Sequence, residues 1–174
     1  MSEAIERARA LRLMAFDVDG VLTDGVLSLA DDGKEIKNFH TLDGLGMKLL
    51  QSAGVELALI TGRESRLVAR RATELGVEHV FQGADDKLAV LEALRRRLGI
   101  AMTACGYMGD DLPDLPLLTR CGFAASVPEA PEAVRERVHY VSRRPGGRGA
   151  VREVCELILT AQGALAAAVG RYLA

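Results

Sequence analysis

The sequence predicts one α/β domain of three layers, in which a parallel sheet has helices on both faces. Short apolar runs that suit buried strands alternate with segments of helical spacing, as they do in βαβ units. Several of the helical segments end at a glycine, the residue that most readily adopts the left-handed backbone of a helix C-cap. The sequence has no internal repeat and no linker rich in proline, glycine or serine, so residues 1–174 are expected to form a single domain.

The predicted strands are short and mostly apolar. They cover residues 13–16, 26–29, 35–39, 55–60, 77–81, 103–108, 122–125 and 139–141. The second and third of these strands flank Asp31-Asp32-Gly33, and an Asp-Gly pair is typical of a tight hairpin turn. These two strands are therefore expected to form a hairpin that protrudes from a Rossmann-like sheet.

The predicted helices have apolar residues three and four positions apart. They cover residues 43–52, 64–75, 86–98, 115–119 and 151–160. The first of them is typical, with Leu45, Leu49 and Leu50 on one face and Gly54 just after its end. From about residue 161 the chain is rich in alanine, and we expect a flexible C-terminal tail there.

The composition argues against several classes of function. The formal net charge is only -2, which gives no general attraction to nucleic acid or to an anionic membrane. Aromatic residues make up 4% of the chain and tryptophan is absent, which disfavours surfaces that stack on nucleic-acid bases. The apolar stretch 157–169 is too short to span a bilayer, which takes about 20 apolar residues.

The cysteines and the N-terminus both favour a cytoplasmic protein. Cys105, Cys121 and Cys155 are widely spaced and form no CxxC pair, which disfavours a disulfide framework or a zinc site. Free thiols suit a reducing compartment. Residues 1–12 mix charges with alanines and lack the apolar core of a signal peptide. We therefore expect neither nucleic acid nor a membrane as a partner.

Polar residues follow the ends of four predicted strands. They are Asp17 and Asp19; Thr61, Gly62 and Arg63; Lys87; and Asp110, Asp111 and Asp114. Ligands of an open α/β sheet bind beyond the carboxyl ends of its strands, so these residues are expected at one edge. Carboxylates that lie close together raise each other's pKa, and a hard divalent cation relieves their repulsion. Oxygen ligands suit Mg²⁺, the cofactor that the pattern predicts.

This set of groups suits phosphoryl transfer through a covalent intermediate. Asp17 could attack phosphorus and form an acyl phosphate, which splits one difficult step into two easier ones. Asp19 could give a proton to the leaving alkoxide and later take one from water. The Thr61 hydroxyl and nearby backbone N–H groups could bind the phosphoryl oxygens, and Lys87 could stabilise negative charge beside Asp17.

Four sequence motifs resemble those of the haloacid dehalogenase superfamily. They are Asp17-Val18-Asp19-Gly20-Val21-Leu22-Thr23, then Ile60-Thr61-Gly62-Arg63, then Lys87, and finally Gly109-Asp110-Asp111 with Asp114. The resemblance implies a magnesium-dependent phosphatase with an aspartyl-phosphate on Asp17. It also implies metal ligation by the carboxylates of Asp17 and Asp110 and by the backbone carbonyl of Asp19, with Asp111 supporting the ligands.

The chain is further similar to the capless branch of that superfamily. The intervals from Asp17 to Thr61 and from Thr61 to Lys87 are too short for a large cap domain. Asp24-Gly25, Asp31-Asp32-Gly33, Phe39-His40, Asp43-Gly44 and residues 146–153 also match the branch. The resemblance implies a homotetramer in which a hairpin and a neighbouring subunit close the site, acting in the synthesis of lipopolysaccharide precursors.

The same resemblance implies a small sugar-acid phosphate as the substrate. The residues implied in binding it are Asp19, Thr61, Gly62, Arg63, Arg71, Lys87 and Arg148. An octulosonate 8-phosphate matches best. Leu42 occupies a place where octulosonate enzymes often have a basic residue, so a nonulosonate 9-phosphate stays open.

Other functions are weaker alternatives. A dehalogenase has no need of Asp19 or of the Asp110-Asp111 pair. A mutase needs a cap that excludes water, and the sequence predicts none. A non-catalytic assembly module of the same fold remains, although such a module would be expected to have lost some of the catalytic positions.

Several single residues also have structural interpretations. We expect Asp43 to cap the helix that begins there, and His40 to pack on the hairpin or at an interface. We expect Asp114 to orient Lys87 or a loop rather than to bind the metal. Residues 146–149 could be a flexible loop or a closing lid.

Overall fold

The computed structural model describes residues 2–173. The strands are β1 (Leu13–Phe16), β2 (Ser28–Leu29), β3 (Glu35–Ile36), β4 (Glu56–Ile60), β5 (His79–Phe81), β6 (Cys105–Met108), β7 (Phe123–Ser126) and β8 (Tyr140–Val141). The helices are α1 (Ser2–Arg9), α2 (Thr41–Ser52), α3 (Arg66–Leu75), α4 (Lys87–Arg97), α5 (Leu115–Leu118), α6 (Glu132–Arg135), α7 (Ala150–Ala161) and α8 (Leu165–Gly170). Short 3₁₀ turns cover Met102–Ala104 and Leu112–Asp114.

Six strands form one parallel sheet in the order β5-β4-β1-β6-β7-β8, while β2 and β3 form a separate antiparallel hairpin. The chain runs from β1 outward to β4 and β5 on one side, then returns to β6 on the other. In register, Phe16 at the end of β1 lies between Leu59 of β4 and Met108 of β6. The strand order therefore reverses at β1, which is where α/β sheets usually form their ligand crevice.

The central strands are buried on both faces, which explains their uninterrupted apolar sequences. All four residues of β1 are buried, and so are all four residues of β6. Helices α1, α2 and α7 pack together, and α4 packs against α5, so the sheet is covered by two groups of helices. The predicted fold class is confirmed, and residues 2–173 include no separate cap domain.

Local signals explain where the helices next to the crevice begin. The Ser65 hydroxyl accepts from Leu67 N at the start of α3, and an Asp86 carboxylate oxygen accepts from Ala89 N at the start of α4. Side chains of this kind satisfy backbone donors that have no partner inside the helix. The cap on Asp86 fixes the position of the next residue, Lys87, whose side chain enters the site.

Some element predictions differ from the structure. The hairpin strands are two residues each, shorter than predicted, because only Ser28–Leu29 and Glu35–Ile36 pair with each other. Helices α1, α6 and α8 were not predicted; α8 covers Leu165–Gly170 within the segment that was expected to be flexible, and the flexibility itself stays a prediction. In the region that the structure covers, no helix combines the length and the apolar character needed to cross a bilayer.

Candidate active site

The ends of the central strands bring the predicted polar residues to one edge of the sheet. Asp17 directly follows β1, and Thr61 directly follows β4 on its neighbouring strand. Asp110 lies two residues after β6, on the other side of β1. Lys87, at the start of α4, points its side chain into the same place.

The buried carboxylate cluster forms the centre of this edge. Its members Asp17, Lys87, Tyr107 and Asp114 are buried, and Asp110 is partly buried. Lys87 Nζ donates to Asp17 Oδ2 and to Asp114 Oδ1, at 2.7 Å in each case. The other oxygen of Asp17, Oδ1, accepts from Val18 N at 2.7 Å. The Asp17 carboxylate is therefore held at both oxygens, in a fixed position at the end of the central strand.

Asp114 organises this cluster from behind. Its Oδ1 accepts from Lys87 Nζ and from the Tyr107 hydroxyl at 2.8 Å, and its Oδ2 accepts from the backbone N–H groups of Asp110 and Asp111 at 3.0 and 3.2 Å. Four hydrogen bonds occupy the lone pairs of the carboxylate. Asp114 thus fits its expected role of orienting Lys87 and the loop after β6.

Tyr107 was missed at the sequence level. It lies inside the buried strand β6, which the sequence analysis predicts only as a strand, and it is fully buried. A buried tyrosine hydroxyl needs a hydrogen-bond partner. Its place near the end of a strand that leads into Gly109-Asp110-Asp111 was the available signal.

Burial and mutual repulsion shift the titration of the carboxylates. Burial, followed by the charge of Asp114, raises the pKa of Asp17 to about 6, although Lys87 opposes the shift. Burial, followed by the charges of Asp17 and Asp114, raises the pKa of Asp110 to about 7. Burial opposes the charged form of Lys87, but Asp17 and Asp114 outweigh it and raise the pKa of the ammonium. The negative charge here is only partly compensated by protein groups.

The donor set fits a hard divalent cation. Asp17, Asp110 and Asp114 each offer a carboxylate oxygen, and the three oxygens lie within 4.8 Å of one another. Since Asp114 is occupied by its four donors, Asp17 and Asp110 are the two carboxylates left to share an ion. All these donors are oxygen atoms, as Mg²⁺ prefers, and a cation would relieve the repulsion that raises both pKa values.

Gly20 permits the close approach of the two loops that would hold the ion. Its backbone is left-handed, with φ at 89°, and an added Cβ would lie 2.0 Å from Asp110 Oδ2. A larger residue would push the Asp110 carboxylate away from Asp17.

A second group of charges, the hairpin charge cluster, surrounds the Asp19 side chain. It consists of Asp19, Glu35, Lys37 and Arg63. Lys37 Nζ is bonded to Asp19 Oδ1 and lies 3.2 Å from Glu35 Oε1. Arg63 Nε lies 3.7 Å from Asp19 Oδ2, and Arg63 Nη2 lies 3.3 Å from Glu35 Oε1. Glu35 and Lys37 were not predicted as site residues, because alternating polar and apolar residues there are typical of any exposed strand.

The loop 145–149 packs closely on the loop after β1. Gly147 N donates to Val21 O at 2.9 Å, and an added Cβ on Gly146 would lie 1.9 Å from Gly20 O. This packing places Arg148 Nη2 3.6 Å from Asp24 Oδ2, beside a cavity of about 420 Å³ that Asp110 also lines. The loop is therefore docked rather than free.

The prediction that Asp43 caps its own helix is wrong. Helix α2 begins earlier, and its cap is His40, whose Nδ1 accepts from Leu42 N at 3.2 Å. The buried Asp43 carboxylate instead accepts from Gly149 N at 3.2 Å and Arg152 N at 2.8 Å, where α7 begins. Asp43 thus fixes the end of the loop that presents Arg148.

The remaining predicted residues lie at different distances from the centre. Thr61 is buried, and its backbone N–H donates to Phe81 O. Asp111 is exposed and accepts from Leu112 N. Arg71 Nη1 lies 3.4 Å from Glu74 Oε2, and its guanidinium lies over the Phe39 ring. Arg71 and Lys37 line one small surface cavity, so Arg71 flanks the hairpin charge cluster rather than the buried one.

Comparison with known proteins gives close relatives over almost the whole chain. The chain is 42% identical to the 3-deoxy-D-manno-octulosonate 8-phosphate phosphatase KdsC of Escherichia coli (strain K12), covering 99% of this chain and 92% of that protein. No family model matches the chain.

Two solved structures are similar over their full length. One is a probable YrbI family phosphatase from Pseudomonas syringae, with 50% identity, a TM-score of 0.98, and coverage of 100% of this chain and 99% of that one. The other is the 3-deoxy-D-manno-octulosonate 8-phosphate phosphatase of Moraxella catarrhalis in complex with magnesium, phosphate and a KDO molecule. It has 47% identity, a TM-score of 0.97, and coverage of 99% of both chains.

Proposed function

Because this chain belongs to the family of 3-deoxy-D-manno-octulosonate 8-phosphate phosphatases, within the haloacid dehalogenase superfamily, we propose that it hydrolyses that sugar-acid phosphate to the free sugar acid and inorganic phosphate. The observation that supports this most directly is the Asp17 carboxylate, fixed at the end of the central strand by Lys87 and Val18. The reaction belongs to the synthesis of lipopolysaccharide precursors.

In the first half-reaction, an Asp17 oxygen attacks phosphorus while the bond between phosphorus and the sugar oxygen breaks. Asp19 gives its proton to the departing alkoxide, and an acyl phosphate remains on Asp17. Thr61 and the backbone around Gly62 bind phosphoryl oxygens, and Lys87 stabilises the charge that develops beside Asp17.

In the second half-reaction, the Asp19 carboxylate takes a proton from water. The water oxygen attacks phosphorus, the bond to Asp17 breaks, and inorganic phosphate leaves. Asp19 ends protonated and Asp17 ionised, so both groups return to their starting states. Lys87 remains bonded to Asp114 throughout, which keeps its ammonium in place.

Mg²⁺ is the cofactor that we assign to Asp17, Asp110 and the backbone carbonyl of Asp19. When bound, it shields the phosphate dianion from the carboxylates that must approach it. The crowding of Asp17 and Asp110 and their raised pKa values support this assignment.

Arg63, Arg71 and Arg148 are proposed to bind the anionic ends of the substrate. Arg63 is about half exposed, with its Nε 3.7 Å from Asp19, so it can reach a ligand beside the proton donor. Arg148 lines the cavity that Asp110 also lines, and its side chain is 67% exposed. Arg71 lies further away, beside Phe39, and would contact only the far end of a long sugar acid.

A homotetramer with the site at a subunit interface is proposed on the basis of the hairpin. Four apolar side chains there are exposed: Val26 at 67%, Leu27 at 49%, Leu29 at 67% and Ile36 at 58%. Exposed apolar side chains grouped on one hairpin favour an interaction surface. Light scattering during gel filtration measures the oligomeric state; a monomer would contradict this part of the proposal.

A cytoplasmic location is proposed from the three free cysteines.

The test of the function is phosphate release from a panel of sugar-acid phosphates, with magnesium or with a chelator. We expect the octulosonate 8-phosphate to give the highest kcat/KM, and we expect a chelator to abolish turnover. Nonulosonate 9-phosphates form the comparison arm, because Leu42 is 42% exposed at a position that could contact the longer sugar. A higher kcat/KM on a nonulosonate 9-phosphate would identify that compound as the substrate instead. No turnover of any substrate would favour a non-catalytic assembly module.

A further inference from the structure

We propose that Lys37, on the hairpin, is a positioning residue that holds the Asp19 carboxylate where it can exchange protons with the substrate. This inference rests on the proposed function, since it concerns the same reaction. Lys37 belongs to none of the four sequence motifs, and it does not follow a strand of the parallel sheet.

The side chain of Lys37 is almost fully covered in a place where a lysine is usually exposed. Its side chain is only 3% exposed, although it directly follows a two-residue strand of a protruding hairpin. Its ammonium contacts two carboxylates, those of Asp19 and Glu35. Lys34, on the same hairpin, is 80% exposed and pairs with Asp32 at the turn. The difference indicates that Lys37 has a specific place to fill.

The pairing of Lys37 also fixes the position of Asp19. A buried ammonium is costly unless it is paired and hydrogen-bonded. If the Asp19 side chain rotated away, Lys37 would keep Glu35 and lose one of its two carboxylate partners. Arg63 contacts the same two acidic side chains, so the four side chains form a closed ring. A protonated Asp19 keeps a carbonyl oxygen that can accept from Lys37, so the contact serves both protonation states of the mechanism. Each carboxylate is held from two sides.

The ring is anchored to helix α3, which lies outside the hairpin. Ser65 Oγ donates to Glu35 Oε2 at 2.7 Å, and the same hydroxyl caps α3. The contacts therefore run from α3 through Glu35 and Lys37 to Asp19. This path gives the proton donor a support that is independent of the buried carboxylate cluster.

Correct placement of Asp19 affects one step more than others. Proton transfer to the leaving oxygen requires hydrogen-bond contact, and a misplacement of about 1 Å can cost about 10²-fold in rate. An alkoxide leaving group needs that proton. A nitrophenolate leaves as a stable anion and does not need it. Loss of Lys37 should therefore slow the two kinds of substrate unequally.

The experiment compares wild type, Lys37→Met, Lys37→Arg and the matched control Lys34→Met. For 3-deoxy-D-manno-octulosonate 8-phosphate, we expect Lys37→Met to lower kcat about 10²-fold with KM little changed. With enzyme in excess over 4-nitrophenyl phosphate, the single-turnover release of nitrophenolate should keep the wild-type rate. Lys37→Arg should recover part of the lost kcat, and Lys34→Met should match wild type.

Several outcomes would overturn the inference while leaving the proposed function intact. Equal losses of rate on both substrates would show that Lys37 acts on the phosphate or on Asp17 rather than on Asp19. A raised KM with unchanged kcat would show that Lys37 binds the sugar. If neither kcat nor KM changed, Lys37 would have no positioning role. Thermal melting checks each variant, and Lys37→Gln, with the same expected pattern, replaces Lys37→Met if that variant unfolds. A wild type that releases no phosphate would refute the proposed function itself.

Discussion

The buried carboxylate cluster and the hairpin charge cluster contain the same kinds of charged group in very different surroundings. The Asp114 side chain is 1% exposed and Lys87 is 7% exposed, whereas Arg63 is 46% and Asp19 is 22% exposed. In the first cluster a broken pair leaves an uncompensated charge without water. In the second, Lys37 is 3% exposed, but water and an incoming ligand can reach Arg63 and Asp19.

This difference suggests a division of labour. The buried cluster fixes the nucleophile and the ion before a substrate arrives, since its atoms cannot move without a large cost. The hairpin cluster holds the proton donor in a half-open place where a sugar must enter and leave. Each prediction below tests one side of this comparison, from the largest expected effect to the smallest.

Asp17→Asn should abolish turnover while the protein stays folded. The amide keeps the shape of the side chain but cannot form the acyl phosphate, and loss of a covalent nucleophile costs up to about 10⁶-fold in other enzymes. Phosphate release and thermal melting with the same preparation measure the two effects. Normal phosphate release by this variant would contradict the mechanism.

Asp114→Asn should be the most damaging of these changes to stability. Lys87 keeps Asp17 but loses its second carboxylate, and breaking a buried pair typically costs about 3–5 kcal/mol. Urea unfolding measures the free energy. The matched control is Asp111→Asn, three residues earlier and exposed, whose cap on Leu112 should cost about 1 kcal/mol or less. Similar losses in the two variants would show that the burial of Asp114 does not determine the cost of removing its charge.

Metal removal should make stability depend on pH in a defined direction. The pKa of Asp17 is raised from 3.8 to about 6 and that of Asp110 from 3.8 to about 7. Between pH 3.8 and about pH 7, the folded metal-free protein therefore binds more protons than the unfolded chain. Its stability should therefore fall as pH rises through this window.

Because the ion binds ionised carboxylates, the stabilisation by magnesium should grow over the same window. The measurement is the difference in melting temperature with magnesium and with a chelator, taken from about pH 5 to about pH 8. Asp110→Asn should reduce the difference at every pH. A difference that does not change with pH would contradict the assignment of the ion to these two carboxylates.

The two clusters also differ in how far the sequence predicts them. Asp17, Thr61 and Asp110 could be placed at one edge because each follows an apolar strand, and parallel strands end together. Lys37 could not, since a lysine in the run Glu35-Ile36-Lys37 is typical of a solvated strand. Only the folding of the hairpin against the loop after β1 brings it to Asp19.

Asp43 shows the same limit in another way. A carboxylate near the start of a helix predicts a local cap, and here the helix that it caps begins far along the chain: the Arg152 N–H that it accepts from is 109 residues away. Local spacing carries no information about such a partner. The residues after the buried strands can be recognised from the few residues around them, because each follows an apolar run. The contacts of Lys37 and Asp43 depend on tertiary packing, which local sequence does not show.

Glu35→Gln should have the smallest effect and sharpens the comparison. The glutamine amide oxygen can still accept from Ser65 and Lys37, so the change weakens hydrogen bonds rather than removing them. A hydrogen bond contributes about 0.5–1.5 kcal/mol, so we expect a loss of about 1 kcal/mol in urea unfolding, well below that of Asp114→Asn. Asp32→Asn, on the same hairpin and exposed, is the control.

The pH dependence of the Glu35→Gln difference identifies its cause. The Ser65 hydroxyl lowers the pKa of Glu35, with support from Lys37 and Arg63, so the contribution of Glu35 is present above its unfolded pKa and is lost as pH falls. The difference from wild type should therefore shrink in acid. High salt weakens ion pairs but not the Ser65 hydrogen bond. If the difference survives high salt, the anchor on α3, rather than the ring of charges, holds Glu35 in place.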